Sequence, residues 1–313
     1  MKILFTADLH INLHKKNVPY DWAISRYHAL FEHYLSMIHE HNINLFVLGG
    51  DIFDKKPEFD ELELYFELVN ALQVKTIIYD GNHEATKKGK TFFSNLITVT
   101  ELINPLVKVI DDITTIYGVD VVPFCKLQSI NSEKHKKSNI LLTHVRGNIP
   151  PHVKAELDLE KLKAWDIVLA GDLHNHENTQ ENIVYPGSPI TTSFHRTEVK
   201  TGVIILDTDT LEYKFERMYL PQLIRKRISS TDSIDKTAFH HTIYEVEGNI
   251  SELSSVDNSV LIDKKIIKRK FTPTLNLRDM TIEEEISKYC TDILKLSEID
   301  INRLITIHKE NNE

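Results

Sequence analysis

The sequence predicts a layered α/β sandwich rather than a simple doubly wound sheet, extended by a small α+β unit and a helical tail. Three observations lead there. Short apolar runs, Ile3-Leu4-Phe5, Leu45-Phe46-Val47-Leu48, Thr76-Ile77-Ile78-Tyr79, Ile140-Leu141-Leu142 and Ile167-Val168-Leu169, read as buried strands. Helical periodicity fills the gaps between the first of them. From residue 183 onward strands dominate.

In chain order, the first strand leads into Asp8-Leu9-His10. Residues 21–41 place Trp22, Tyr27, Leu30, Phe31, Tyr34, Leu35 and Ile38 on one helical face, and 58–72 form a second such helix. The strand at 45–48 leads into Gly50-Asp51-Ile52-Phe53-Asp54, and the strand at 76–79 into Gly81-Asn82-His83-Glu84. Residues 107–122 read as short strands around turns, and 140–142 ends in Thr143-His144. Residues 159–164 are expected to be helical before the last of the five strands, which runs into Gly171-Asp172-Leu173-His174-Asn175-His176. Each strand thus ends in oxygen or nitrogen ligands, and in open sheets sites gather at the carboxyl ends of strands.

Asp, Asn and Gly favour strand ends for conformational reasons alone, so any one of these segments is as readily a turn. Five in series are not. Imidazoles, carboxylates and one carboxamide, without cysteine, suit Mn²⁺, Fe²⁺ or Zn²⁺. They are too many for one ion. Two ions about 3.5–4 Å apart, with Asp51 as the bridging carboxylate, would use them and would stabilise both the attacking and the leaving oxygen of a phosphoester.

The order D-x-H, G-D-x-x-D, G-N-H-[DE], H, G-[HD]-x-H-x-H resembles the calcineurin-like metallophosphoesterase superfamily over about two thirds of the chain. Tyr185-Pro186-Gly187-Ser188-Pro189, soon followed by Gly202-Val203-Ile204-Ile205-Leu206-Asp207, is similar to the SbcD-like branch, the nuclease subunits of SbcCD-type recombination and repair complexes, including those of phages. The resemblance implies an αββα metallophosphoesterase sandwich. It also implies DNA phosphodiester hydrolysis, with 3′ to 5′ exonuclease and endonuclease activity. Motif by motif it places Asp8, His10, Asp51 and His176 around one ion and Asp51, Asn82, His144 and His174 around the other. Mn²⁺ is the favoured metal, with Mg²⁺, Fe²⁺ and Zn²⁺ as alternatives. His83 stays free of metal and protonates the leaving oxygen while water activated by the metal pair attacks phosphorus in line. Asp54 is expected to orient His83 by accepting a hydrogen bond from its other ring nitrogen. Two departures stand out: Glu84 replaces the commoner Asp, and Gly171-Asp172 stands where many relatives have Gly-His. Neither is expected to remove a ligand.

Composition is compatible with an intracellular enzyme. At 313 residues, 41% of them hydrophobic, the chain can bury a full core and add a smaller domain. Only Cys125 and Cys290 occur, so a disulfide framework is excluded. No apolar stretch approaches a membrane span, and a cytoplasmic location is expected, that of the host if the gene is a phage's. A net charge of −9 gives no support to DNA binding by the whole chain, so phosphate contacts must be local. Candidates are the ribbon Lys264, Lys265, Lys268, Arg269 and Lys270, and the pair His195 and Arg196 near the rim of the expected pocket. No G-x-x-x-x-G-K-[ST] loop occurs, so any ATP hydrolysis belongs to another polypeptide.

Composition changes near residue 221, where a different unit begins; by resemblance 1–220 is the nuclease domain, 221–278 a cap governing DNA access, although its spacing equally suits an oligomerisation domain, and 279–313 a helical tail. Ile282, Ile286, Tyr289, Ile293 and Leu296 keep helical spacing, and Ile299, Ile301, Leu304, Ile305 and Ile307 extend it after a Ser-Glu break. By resemblance this tail grips an SMC-like ABC ATPase, and the nuclease is a homodimer. Two rival functions are a phosphoesterase for nucleotides, cyclic nucleotides or phosphoproteins, and a scaffold that keeps the fold without catalysis.

Overall fold

The computed structural model describes all residues except 87–89, 233, 235–238, 257–258, 269–276, 278–279 and 311–313, and describes Lys90 by its backbone alone. The expected strands assemble into two facing sheets. The first has six strands in the order Tyr213–Met218, Thr201–Asp207, Lys2–Thr6, Leu45–Gly49, Lys75–Tyr79, Val107–Ile110. Its last four run parallel, while Thr201–Asp207 is antiparallel to both of its neighbours. The second has five strands, Ile183–Val184, Ile167–Gly171, Ile140–His144, Val119–Val122 and Thr114–Ile116, parallel except for the final hairpin.

Because side chains alternate across a strand, each run serves two layers. Ile3, Phe5, Leu45, Val47 and Ile77 face Val119, Val121, Ile140, Leu142 and Leu169 between the sheets. Leu4, Phe46, Leu48 and Ile78 point the other way, into Tyr27, Leu30, Tyr34, Leu64 and Leu68 of the helices Tyr20–Glu40 and Phe59–Ala71. Leu141, Val168 and Ala170 pack outward against Leu127, Leu162 and Trp165. Each large side chain so buried contributes about 1.5–3 kcal/mol. The result is the αββα sandwich, with one difference from expectation. Residues 159–164 form only a 3₁₀ turn, Leu159–Leu162, and the layer over the second sheet consists of such turns and the short helix Ser132–His135. Four residues cannot sustain an amphipathic α-helix once Asp158 caps their first turn and the chain must reach Trp165.

A third sheet follows, Leu223–Ser229, His241–Gly248 and Ile262–Ile267, all parallel, with the helix Ile250–Ser255 in one crossover. Tyr244, Val246 and Leu253 form its small core. It is tied to the sandwich: Leu223 N donates to Thr191 Oγ1 (2.8 Å), and His241 Nε2 lies 2.6 Å from the Asn17 carbonyl. The tail is two helices, Ile282–Asp292 and Glu298–Glu310, rather than one interrupted stripe, and they bury Cys290 and Ile301. Among the described residues, no helix is long and apolar enough to cross a membrane.

Candidate metal centre and active site

The carboxyl ends of Lys2–Thr6, Leu45–Gly49, Lys75–Tyr79, Ile140–His144 and Ile167–Gly171 converge where the two sheets meet. The backbone there is unusual. Asp8, His10, Asp51 and Asp172 all have left-handed φ, at 58°, 45°, 51° and 98°. For residues other than glycine this is costly and is sustained by surrounding contacts. Here the contacts are explicit: Asp8 N donates to the Gly50 carbonyl (3.0 Å), His10 N to the Asp51 carbonyl (2.9 Å), and Asp172 N to both Asp8 oxygens (3.1 and 3.2 Å). The glycines before two of the aspartates leave room for an imidazole. A Cβ on Gly50 or Gly171 would come within 2.5 Å of His144 Nδ1.

Glu84 holds the loops together. Its fully buried carboxylate accepts from Asp51 N (3.0 Å), Phe53 N (2.9 Å) and Gly81 N (2.8 Å), clamping two strand ends. Burial and the neighbouring Asp51 push its pKa up to about 8 against the pull of these N–H groups.

The imidazoles are oriented by main-chain carbonyls. His144 Nδ1 lies 2.9 Å from the Gly49 carbonyl, which as acceptor fixes the Nδ1–H tautomer and leaves Nε2 as a free ligand. His144 Nε2 faces Asp51 Oδ2 at 3.6 Å, as does His10 Nε2 at 3.6 Å. His174 Nε2 lies 3.1 Å from His10 Nε2 and 3.9 Å from Asp8 Oδ1. Converging nitrogens and carboxylate oxygens form three overlapping groups at this centre that could hold a cation: Asp8, His10 and His174; Asp8, Asp51 and His144; and His10, Asp51 and His83. Asn82 adds its amide to the second, 3.0 Å from His144 Nε2. This donor set of nitrogen and oxygen fits a pair of divalent ions of the Mn²⁺, Fe²⁺ or Zn²⁺ type, and two nearly touching imidazole nitrogens are what a shared cation would hold together.

Charge is concentrated. Burial works against ionised Asp51, yet His144 and His10 outweigh it and hold the carboxyl below the usual range. Burial raises Asp8 to about 7 and lowers His174 to about 4.

Three sequence expectations need adjustment. His176 does not converge with the other ligands: Nδ1 donates to the Tyr185 carbonyl at 2.6 Å and its ring stacks on Phe215 at 4.4 Å. The two-residue step from His174 carries it into the 3₁₀ turn His176–Asn178, away from the strand end. His174 stands beside Asp8 and His10 instead. His83 Nδ1 meets the main-chain carbonyl of Asp54 (2.6 Å), whereas the Asp54 carboxylate is 3.9 Å from it. That carboxylate accepts from Asn12 Nδ2 (2.7 Å) and lies 3.3 Å from His10 Nδ1, so it steadies a ligand rather than His83. Finally, Asp172 enters the cluster, with a side chain 4% exposed and Oδ1 4.0 Å from His144 Nε2. The repeated Gly-Asp after a strand, Gly50-Asp51 and Gly171-Asp172, was the available signal for it.

A phosphoesterase pattern covers this region. The calcineurin-like phosphoesterase pattern matches residues 1–176, which contain each of these converging ligands. The chain belongs to the calcineurin-like phosphoesterase family. Within that family it is 38% identical over 317 residues, 97% of each chain, to "Probable exonuclease subunit 1" of Escherichia phage T5. Among solved structures, TT1561 of Thermus thermophilus aligns with a TM-score of 0.45 at 13% identity, over 69% of this chain and 98% of that one. A novel archaeal phosphodiesterase aligns at 0.41 and 14%, over 70% and 100%. As a member of a metal-dependent phosphoesterase family, this chain is an enzyme of that class.

The residues expected to meet DNA are spread over the junction with the third sheet. His195 lines a cleft of about 570 Å³ next to His174, together with Thr192, Ser193 and Lys200. Arg196 and Lys264 both pair with the buried Glu245 (2.7 and 2.8 Å), and Lys268 faces Glu247 at 3.7 Å. Lys265 occupies the other face, its Nζ on the Val256 carbonyl (2.6 Å), so the ribbon is not one continuous row. Strand alternation accounts for the split. Arg269 and Lys270 lie outside the described residues.

Proposed function

We propose that this enzyme is a two-ion DNA nuclease, the catalytic subunit of an assembly powered by an SMC-like ATPase and working in the cytoplasm of a phage-infected host. The observation that carries the DNA substrate is the extent of the likeness to the T5 exonuclease subunit: it runs past residue 176 through the third sheet and the tail. A phosphoesterase for small molecules needs neither.

In this reading Asp8, His10, Asp51 and His174 would hold one ion, and Asp51, Asn82 and His144 the other, with Mn²⁺ the favoured metal. Bound, the pair supplies Lewis-acid charge at the phosphate and brings the pKa of water near 7. The chain's own residues do the rest. His83 is half-exposed at the mouth, with Nδ1 donating to the Asp54 carbonyl and Nε2 4.0 Å from Asp51 Oδ2. Held that way, Nε2 is the atom that carries a proton to the leaving oxygen. His83 N donates to Asp51 Oδ1 (2.9 Å), which locks the bridging carboxylate and the acid in one frame. Asp54 acts through His10 and through its own carbonyl. The basic side chains Arg196, Lys264 and Lys268, with His195, supply phosphate contacts beyond the scissile bond. Residues 1–220 are the nuclease domain, 221–278 the cap, and 279–313 the tail that seats the ATPase. Ile282, Tyr289, Leu294, Ile299, Leu304 and Ile307 are exposed on the tail, as helix-in-groove recognition requires. A homodimer would place two sites on one DNA.

The test is digestion of end-labelled double- and single-stranded DNA with Mn²⁺ or Mg²⁺, beside bis-p-nitrophenyl phosphate and the His83→Ser variant. Mn²⁺-dependent degradation, lost by at least about 100-fold in the variant while bound metal is retained, is the expected result. Hydrolysis of the small diester alone, even with the ATPase added, would replace the nuclease by a small-substrate phosphoesterase. Metal binding with no hydrolysis of either substrate would leave the scaffold reading.

A further inference from the structure

The buried carboxylate of Asp172 has no role in the two-ion assignment, yet its surroundings are built around it. Its main-chain N–H is committed to both oxygens of Asp8, and its left-handed φ of 98° aims the side chain back at the second group of ligands. The end of the Asn82 amide that faces the cluster lies 3.0 Å from Asp172 Oδ1, 3.3 Å from Asp51 Oδ2 and 3.0 Å from His144 Nε2; as a hydrogen-bond donor it presents Nδ2 to them, and as a ligand it would present Oδ1. Asp172 Oδ1 therefore points at the same small volume as the other ligands of that group. The opposite side of the carboxylate is clamped by Arg146, whose Nε lies 2.9 Å from Oδ2 and a terminal nitrogen 3.0 Å from Oδ1. Arg146 is itself fixed, since its main-chain N–H donates to Glu156 Oε1 at 2.9 Å. A bidentate guanidinium fixes the plane of a carboxylate and leaves lone pairs on the far side of Oδ1 for a cation.

We propose that Asp172 is a ligand of the second ion and that Arg146 is the residue that positions it. The inference rests on the two-ion reading. With Asp172 included, the second centre offers two carboxylates, one carboxamide and a single imidazole. Oxygen-rich sets suit Mn²⁺ and Mg²⁺, whereas imidazole-rich ones suit Zn²⁺ and Fe²⁺. Asp172 therefore sets the metal preference of that centre, and Arg146 offsets the added negative charge while holding the carboxylate in one orientation.

The experiment is calorimetric titration of the demetallated full chain with MnCl₂ and with ZnCl₂, with bound metal counted by mass spectrometry, for wild type, Asp172→Asn, Asp172→His and Arg146→Met. Wild type is expected to bind two Mn²⁺. Asp172→Asn keeps the side-chain shape and is expected to weaken one of the two sites for Mn²⁺ by about 10–100-fold and leave the other unchanged. Asp172→His is expected to move the Zn²⁺ over Mn²⁺ affinity ratio of that same site upward by at least about tenfold. Arg146→Met, whose thioether is a poor ligand for Mn²⁺, is expected to weaken the same site for Mn²⁺ by about tenfold. Melting in chelator controls for folding, and an unfolded variant is replaced by Asp172→Ser. Two Mn²⁺ bound with unchanged constants in the folded Asp172 variants would overturn the assignment while leaving the two-ion reading intact. A wild-type chain that binds fewer than two ions would overturn that reading, and this inference with it.

Discussion

Few single residues bear as many main-chain partners as Glu84. Three N–H groups from two loops end on its carboxylate, and the loops are those that carry Asp51, Asn82 and His83. Above about pH 8, where the carboxyl is ionised, Glu84→Gln would turn one of these acceptors into an NH₂ group facing buried N–H donors, at a cost of about 1–3 kcal/mol. Urea unfolding without metal is expected to show that loss, together with weaker binding of Mn²⁺. Unchanged stability would mean that the loops are held by other contacts. At this scale the ligands were readable because Gly-Asp and Gly-Asn-His follow apolar strands. Their orientation was not, because it depends on the carbonyls of Gly49 and Tyr185 and on Arg146, groups that leave no mark in local sequence. His176 shows the limit well. Spacing put it with the ligands, and only the local 3₁₀ turn removes it.

Among elements, the second sheet depends on one buried acid. Asp120 is 1% exposed, and its carboxylate accepts from Thr115 Oγ1, Trp165 Nε1, and the main-chain N–H groups of Lys137 and Ser138. Burial works against its ionisation, but these donors outweigh it and hold the pKa below 3.8. A depressed carboxyl adds stability that is complete above the unfolded value and is lost as pH falls through the folded one. Asp120→Ala is expected to cost about 3 kcal/mol at pH 7 and to flatten the acid limb of the stability curve below roughly pH 4. A parallel acid limb in wild type and variant would show that Asp120 is not the group responsible. The strands around this acid were legible from their apolar runs, as were the helices 21–41 and 58–72. The layer over the second sheet was not, since turns of four to six residues carry too few apolar positions to define a period.

For the whole molecule, the separation of functions is the point to test. The phosphoesterase chemistry sits in the sandwich, and the candidate phosphate contacts sit at its junction with the third sheet. Arg196→Ala is expected to reduce the salt dependence of DNA binding by a slope of about 1 and to leave hydrolysis of bis-p-nitrophenyl phosphate as in wild type. Titration of binding against NaCl measures this, and an unaltered slope would remove Arg196 from the DNA path. The sandwich could be anticipated because the central strands of both sheets are short apolar runs. The parallel third sheet could not be foreseen in register, because Glu245, Lys264 and Arg227 interrupt its hydrophobic pattern with ion pairs between one buried carboxylate and exposed cations.

His195 joins these regions. Its main-chain N–H donates to the Leu223 carbonyl (3.0 Å) and its own carbonyl accepts from Arg225 N (2.8 Å), so a residue lining the cleft beside His174 is also laced to the first strand of the third sheet. The cleft wall and that strand are thus joined through the main chain. A shift of that strand of the third sheet would therefore reach the wall of the cleft directly, through these two hydrogen bonds.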